Sequence, residues 1–289
     1  MKTKLIFIKI LVIIITLNSC NQKENTSDMN IIFLHHSTGG VIWKGNTTSI
    51  FSKVTRKINT RLSDFFGERA KMPLLFEKYN KEHKTDYLIK EMIFPQASPY
   101  GWNNYPYDYY NIWVKNAGEE PFMDEPTLEM LTKKYQVIIF KHCFPASNIQ
   151  ADQEPADINS DLKTISNYKL QYSVLKDKLH EFRDTKFILF TGAALVKSGV
   201  TEDEAIRAKE FFKWVKEEWD LPGDNIYLWD LYSLQTEGAL YFKDEYAVSS
   251  NDSHPNEDFA GKTVILLFNR IIDVIENNGS RTKLTGELI

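Results

Sequence analysis

Three short polar segments of this 289-residue chain contain residues that could carry out acyl-transfer chemistry. They read HHSTGG (residues 35–40), HCFPASN (142–148) and NDSHPN (251–256). Ser37 follows a predicted buried strand and precedes a pair of glycines. A serine in such a tight turn can present its hydroxyl as a nucleophile while neighbouring backbone N–H groups face a developing oxyanion. A lone serine there is more often a turn or helix-cap residue, so the interpretation depends on its partners.

A serine hydroxyl is a weak nucleophile that needs a hydrogen-bonded imidazole, and the imidazole needs a group that orients it. His254, with Asp252 close before it, offers such a pair near the C-terminus. Asn251 is the alternative orienting group. We favour Asp252 because a carboxylate stabilises an imidazolium and a neutral amide does not. The competing interpretation makes His254 only the residue that leads into the last helix.

Other histidines and a cysteine lie close to these segments. His35 and His36 form a doublet beside the serine, and they either contribute to a substrate pocket or pack in the core. The local spacing supplies no third ligand, so we expect no metal and no other cofactor. Cys143 neighbours His142, but adjacent residues of an extended segment point to opposite faces and make a poor nucleophile–base pair. We expect Cys143 to be a buried structural cysteine.

Short apolar runs alternate with amphipathic ones, which predicts the elements that position these residues. A capping-box pattern at Thr201 and Glu204 starts one helix, and Glu257 and Asp258 suit the positive end of the last helix. The alternation predicts a mostly parallel sheet of about five strands with helices on both faces. Ligands bind at the carboxyl ends of such strands, so we expect the polar segments to meet there. The predicted strands are residues 30–34, 87–93, 137–141, 187–190 and 226–229.

The N-terminal segment has the layout of an export signal. Lysines flank an apolar run over residues 5–17, which is too short to span a bilayer comfortably. The sequence LNSC at residues 17–20 resembles the lipobox of bacterial lipoproteins, which implies lipidation of Cys20. We therefore expect a protein that is exported and lipid-anchored to a bacterial membrane, in the periplasm or at the cell surface. The predicted organisation is a signal peptide over residues 1–19, a lipidated tether over 20–29 and one domain over 30–289.

Charge and length limit the partners of this domain. The full chain has a formal net charge of -4, and removing residues 1–19 leaves 32 basic and 39 acidic residues, a net charge of -7. No basic patch remains to indicate a nucleic-acid partner. The remaining chain of about 260 residues is long enough for one large α/β domain, which we expect to be a monomer.

The order of these segments resembles that of the SGNH (GDSL-like) hydrolase family. In that family a nucleophilic serine follows the first strand, an Asn-bearing loop follows a central strand, and a closing Asp-x-x-His block precedes the last helix. The likeness covers residues 30–277, and the HPN sequence at 254–256 is its most specific part. HHSTG replaces the usual GDSL, the family's Gly-x-Asn-Asp block is absent, and Asp252 stands one position closer to the histidine than usual.

The resemblance implies a three-layer α/β/α (flavodoxin-like) domain that acts as a serine esterase. It implies Ser37 as nucleophile, His254 as general base and Asp252 as the acid. It also implies an oxyanion hole formed by the backbone N–H groups of Ser37 and Gly101 and by the side-chain amide of Asn148.

The segment over residues 94–122 is rich in aromatic and amide side chains and shows no strong helical or strand period. Aromatic faces beside amides suit sugar rings, although such a segment can equally pack on the body of the domain. We therefore predict a carbohydrate ester, such as an O-acetylated glycan, as the substrate. A lipid-directed esterase or thioesterase and a non-catalytic glycan-binding surface lipoprotein are the alternatives. The candidate pocket residues are Tyr100, Trp102, His35, His36 and Asn251.

Overall fold

The computed structural model describes residues 28–46, 69–100, 103–152 and 155–289. The predicted signal peptide and Cys20 lie outside the described residues, and so do Gly101 and Trp102. None of the helices in the described ranges is long and apolar enough to cross a membrane.

Within the described residues, five parallel strands form one sheet in the order β2-β1-β3-β4-β5. Each predicted strand is present, with its ends moved by no more than two residues. Strand β1 starts before the predicted domain boundary, because Asp28 and Met29 pair with Asp86 and Tyr87 of β2. The strands are β1 (Asp28–His35), β2 (Asp86–Ile93), β3 (Val137–Phe140), β4 (Lys186–Phe190) and β5 (Ile226–Trp229).

Helices cover both faces of the sheet, which confirms the predicted three-layer α/β/α fold. The longer helices are α1 (Ser37–Lys44), α2 (Lys71–His83), α3 (Ile165–His180), α4 (Glu202–Trp214) and α5 (Glu257–Asn277). Helices α1, α2 and α5 pack together on one side, while α3 packs with the helical turns that follow β2. Strand β3, with the sequence VIIF, is completely buried because both of its faces are covered.

Shorter helical segments connect these elements. The α-helical ones are Pro106–Tyr109, Leu128–Thr132 and Leu231–Thr236, whereas the segment Ala97–Tyr100 is interrupted at Ser98, whose backbone is extended (φ -116°, ψ 125°). Two are 3-10 turns, Phe144–Ser147 and Lys197–Gly199, and two are π-helical, Tyr110–Lys115 and Val215–Trp219.

Local side-chain caps fix the starts of two of the longer helices. The predicted capping box is present at α4, where the Thr201 hydroxyl accepts from the Glu204 N–H at 3.3 Å and Glu204 Oε2 accepts from the Thr201 N–H at 2.9 Å. At α5, Asn256 Oδ1 accepts from the Phe259 N–H at 2.9 Å. Such caps satisfy N–H groups that have no partner inside the helix.

The aromatic segment after β2 is more ordered than its sequence pattern predicts. Residues expected to lack regular structure form the helical turns between Pro106 and Lys115. Five of its rings are buried and pack on the body of the domain: Phe94, Tyr105, Tyr109, Tyr110 and Trp113. The helical period is not visible in the sequence, because aromatic residues with polar tips occupy both the buried and the partly exposed positions of these turns.

The segment that carries His254 has regular structure of its own. It forms a separate antiparallel ribbon of two strands, β6 (Ala247–Ser249) and β7 (Asp252–Pro255). Strand β7 leads directly into α5, so the histidine is held by backbone pairing as well as by the helix that follows it.

Candidate functional site

The strand order places the candidate residues at one crevice of the sheet. The chain passes from β1 to β2 on one side and then crosses to β3 on the other side of β1. Open α/β sheets bind ligands where the strand order reverses in this way, outside the carboxyl ends of the strands. Ser37 follows β1 and residues 142–148 follow β3, so both polar segments lie at this switch point.

Ser37 is the exposed first residue of α1. The first hydrogen bond of this helix runs from the Gly40 N–H to the His36 carbonyl at 3.2 Å, and the His36 side chain provides no cap. The N–H groups of Ser37 and the two residues after it therefore have no acceptor within the helix. Together with the positive end of the helix dipole, these donors suit a negatively charged oxygen.

His254 and Asp252 form a closely bonded pair on β7. His254 Nδ1 lies 2.6 Å from Asp252 Oδ1, and the same oxygen accepts from the His254 backbone N–H at 2.9 Å. These two bonds, the backbone one first, lower the pKa of Asp252, which keeps it ionised. The imidazole is 31% exposed, and within the described residues its Nε2 has no hydrogen-bond partner. Nε2 is thus available to accept a proton.

Asn251 does not reach the imidazole. It is exposed, and its backbone N–H donates to the Ser249 hydroxyl at 3.3 Å. Of the two alternative orienting groups, Asp252 is therefore the one that contacts His254.

Strand β7, which carries His254, contacts three neighbouring segments, one of which is the helix that starts at Ser37. Helix α1 packs against β7. The Phe144 ring, just after β3, lies edge-on to the His254 ring with 5.1 Å between centroids. The Ser253 hydroxyl accepts from the Val196 N–H at 3.0 Å, which ties β7 to the loop after β4. No hydrogen bond joins Ser37 to His254 among the described residues, and such contacts are often loose before a substrate binds.

Two other histidine–carboxylate pairs lack the features of a general base next to a nucleophile. His35 Nε2 lies 2.9 Å from Glu91, but this ring is buried and its Nδ1 contacts the His36 carbonyl at 3.2 Å, so both nitrogens are occupied. His180 Nε2 lies 2.9 Å from Asp224, in a groove at the amino end of the sheet. No serine, threonine or cysteine lines the described part of that groove.

Asn148 lies at the end of the 3-10 turn that follows β3. Its Oδ1 accepts from Lys163 Nζ at 3.2 Å, which leaves the amide N–H groups pointing away from the lysine. Of the three predicted oxyanion donors, Ser37 and Asn148 are among the residues that the structure describes, and Gly101 is not.

The histidine doublet is buried on the core side of the site. Both rings are 1% exposed, and His36 Nε2 contacts the Pro95 carbonyl. Burial lowers the pKa of His36, with a further contribution from the nearby charge of Lys141. Of the two interpretations of the doublet, core packing is the one that the structure favours.

The segment after β3 is also more deeply buried than its polar sequence indicates. Cys143 is 1% exposed, and Lys141 Nζ lies 3.0 Å from its sulfur. Burial lowers the pKa of His142 to about 3, so this ring is neutral at physiological pH. Among the described residues, no group of three or more His, Cys, Asp or Glu side chains could hold a metal ion.

Sequence reasoning missed two residues that shape this site, Lys163 and Phe144. Neither belongs to a recognisable pattern, although Phe144 lies within the HCFPASN segment that the sequence singled out. Both act across long sequence separations, which a local pattern does not record.

Comparisons of the chain with protein-family models, with curated proteins and with solved structures found no match in any of the three.

Proposed function

We propose that this protein is a serine esterase of the SGNH type, with Ser37 as nucleophile, His254 as general base and Asp252 as the carboxylate that orients the base. The main support is the 2.6 Å contact between His254 Nδ1 and Asp252, on a strand that packs against the helix of Ser37. A histidine held in this way through Nδ1 keeps Nε2 for the serine proton.

The proposed reaction has two steps. Ser37 Oγ attacks the ester carbonyl while Nε2 of His254 takes its proton, and the imidazolium then gives that proton to the leaving alcohol. Water, activated by the same nitrogen, next attacks the acyl-enzyme and releases the acid. Asp252 stays ionised in both steps and stabilises the transient imidazolium.

The negative oxygen of each tetrahedral intermediate needs donors that are in place before the reaction. The backbone N–H of Ser37 at the start of α1 and the amide of Asn148 would supply them, with the backbone N–H of Gly101 as the third. Removing one such donor typically lowers kcat by about 10²- to 10³-fold. We expect a loss of this size for Asn148→Ala.

We further propose a carbohydrate ester, such as an O-acetylated glycan, as the substrate class. Five aromatic rings of the segment after β2 are buried and offer no stacking face. The support that remains is the half-buried Tyr100, two residues before Trp102 in the sequence, together with the export signal predicted at the N-terminus. Initial rates on acetylated sugars, long-chain acyl esters and acyl thioesters would separate this class from a lipid-directed esterase or thioesterase.

The first experiment is mass spectrometry of the purified protein after exposure to a fluorophosphonate probe. We expect one adduct at Ser37, and no adduct in the Ser37→Ala and His254→Ala variants. Asn251→Ala serves as the matched control in the same ribbon and should be labelled at the rate of the unmodified protein. A folded sample that is not labelled would contradict the esterase proposal and support the non-catalytic glycan-binding alternative.

The membrane anchor is a separate proposal with a separate test. Expression of the full chain in a bacterium, followed by fractionation, should place the protein with the membranes and Cys20→Ser in the soluble fraction. Equal partitioning of the two would contradict lipidation at Cys20.

A further inference from the structure

One half-buried ammonium group joins the two loops that the proposed oxyanion hole requires. Lys163 Nζ donates to the Pro145 carbonyl at 2.7 Å, to Asn103 Oδ1 at 3.1 Å and to Asn148 Oδ1 at 3.2 Å. It also lies 5.8 Å from the centroid of the Tyr105 ring. An ammonium has three N–H donors, so these three acceptors use all of them.

The acceptors of Lys163 come from different parts of the chain. Asn103 belongs to the segment after β2, two residues after the predicted donor Gly101 in the sequence. Pro145 and Asn148 belong to the segment after β3. A single side chain from the segment before α3 therefore adds three hydrogen bonds to the backbone bond that already joins these two loops, from the Cys143 N–H to the Asn104 carbonyl at 3.2 Å.

The contact with Asn148 also fixes which end of its amide is presented. A side-chain amide has an acceptor oxygen on one branch and two N–H donors on the other. An ammonium can only donate, so the branch beside Lys163 must be the oxygen. The N–H donors then lie on the other branch of the amide, away from the lysine and free for a different acceptor. Without the ammonium, rotation of the amide would place the oxygen and the donors on that side about equally.

We propose that Lys163 is a positioning residue that orients the Asn148 amide and ties Asn103, in the loop after β2, to the turn after β3 that carries Asn148. This inference rests on the proposed function. Lys163 does not contact the reacting atoms, and its positive charge acts through Asn148 and through the geometry of the two loops. Its backbone is held independently, because the Lys163 carbonyl accepts from the Gln150 N–H at 2.7 Å. Side-chain replacements should therefore leave the chain path intact.

The first test compares Lys163→Met with Lys163→Arg in steady-state hydrolysis of a chromogenic acetyl ester. We expect Lys163→Met to lower kcat by about 10- to 100-fold, less than the loss of a whole oxyanion donor, and to leave KM within about twofold. Lys163→Arg keeps charged donors and should recover most of kcat. A normal kcat in Lys163→Met would overturn the proposal.

The matched control is Lys186→Met at the other end of the sheet. Lys186 Nζ also donates to two carbonyls, those of Val274 at 2.6 Å and Ile275 at 3.0 Å, and to one amide oxygen, Asn278 Oδ1 at 2.8 Å. Its replacement removes a similar set of contacts far from Ser37. We expect Lys186→Met to leave kcat unchanged. If it lowers kcat as much as Lys163→Met does, the losses reflect reduced stability of the fold, and the positioning role of Lys163 is contradicted.

A double-mutant cycle separates orientation of Asn148 from a general effect on the site. If Lys163 acts through Asn148, adding Lys163→Met to the Asn148→Ala variant should lower kcat by less than about threefold. If the two losses simply multiply, Lys163 does not act through the amide and the proposal is wrong.

Hydrogen exchange measured by mass spectrometry tests the loop contacts without any substrate. Lys163→Met should accelerate exchange in peptides covering residues 103–105 and 143–149 together, while Lys186→Met should not. Unchanged exchange in both peptides would overturn the proposed role of Lys163 in holding the two loops, even if the enzyme is active. Faster exchange in a protein that the fluorophosphonate probe does not label would support the role of Lys163 in holding the loops and would refute the proposal of esterase activity.

Discussion

Replacing Asp252 with alanine removes the acceptor of two hydrogen bonds to His254. One comes from Nδ1 at 2.6 Å and the other from the backbone N–H at 2.9 Å. The Nδ1 bond matters most for catalysis, because the imidazole becomes positively charged in the transition state and the carboxylate stabilises that charge. The backbone bond mainly keeps the carboxylate in place.

The size of the effect follows from the exposure of this pair. Hydrogen bonds to charged groups are worth about 1.5–3 kcal/mol, which corresponds to about 10- to 150-fold in rate. A deeply buried triad carboxylate can matter by about 10⁴-fold. The Asp252 side chain is 42% exposed, so water partly replaces it in the variant. We therefore expect Asp252→Ala to lower kcat/KM by about 10- to 150-fold rather than by the larger factor.

The assay is kcat/KM for a chromogenic acetyl ester, measured with Asp252→Ala, Asp252→Asn and Asn251→Ala. Asp252→Asn keeps the shape but not the charge, so it should lose nearly as much as the alanine variant. Asn251→Ala, which changes an exposed side chain with no contact to the imidazole, should stay within about threefold. If Asn251→Ala loses more activity than Asp252→Ala, the carboxylate does not orient the base and the geometric argument is refuted.

Three further predictions concern stability. Burial lowers the pKa of His142 to about 3, so between about pH 6.5 and pH 3 the ring is protonated in the unfolded chain but not in the folded protein. This difference should lower the free energy of unfolding by about 2 kcal/mol between pH 7.5 and pH 5. In urea unfolding, the loss over this pH range should therefore be smaller by about 2 kcal/mol in His142→Phe. Asn256→Ala and Thr201→Ala each remove a helix cap, so each should lower the free energy of unfolding by about 1 kcal/mol. Esterase kinetics should change only in Asn256→Ala, because the Asn256 side chain also donates to the carbonyls of Glu245 and Ala247 in the ribbon that carries His254. A Cβ added at Gly39 would lie 2.4 Å from the His35 Cβ, so Gly39→Ala should lower the melting temperature and displace the first turn of α1, which fluorophosphonate labelling would report as slower reaction.

Local patterns in the sequence were enough to predict the layered fold. The strands are apolar on consecutive positions because both faces of the sheet are covered, and this leaves a readable signal in a single segment such as VIIF of β3. Helix caps are equally local, since Thr201 and Asn256 each bond to an N–H three residues later. Asp252 and His254 are close in the sequence, so residue types and spacing alone predicted their pairing.

Tertiary structure decided the features that depend on distant parts of the chain. The aromatic segment after β2 became helical and buried because α3 packs against it, which no period within the segment indicated. The ribbon that carries His254 forms by backbone pairing of residues 247–249 with 252–255 and gains its position from α1.

The contacts of Lys163 show most clearly why the site could not be completed from the sequence. Its acceptors Asn103 and Asn148 are 60 and 15 residues away in the chain and meet only at the carboxyl edge of the folded sheet. Sequence alone determined the residue types that could do acyl chemistry and the strands that precede them. Only the folded chain determined which donors and acceptors face one another, because hydrogen bonds act over about 3 Å in space and do not depend on sequence separation.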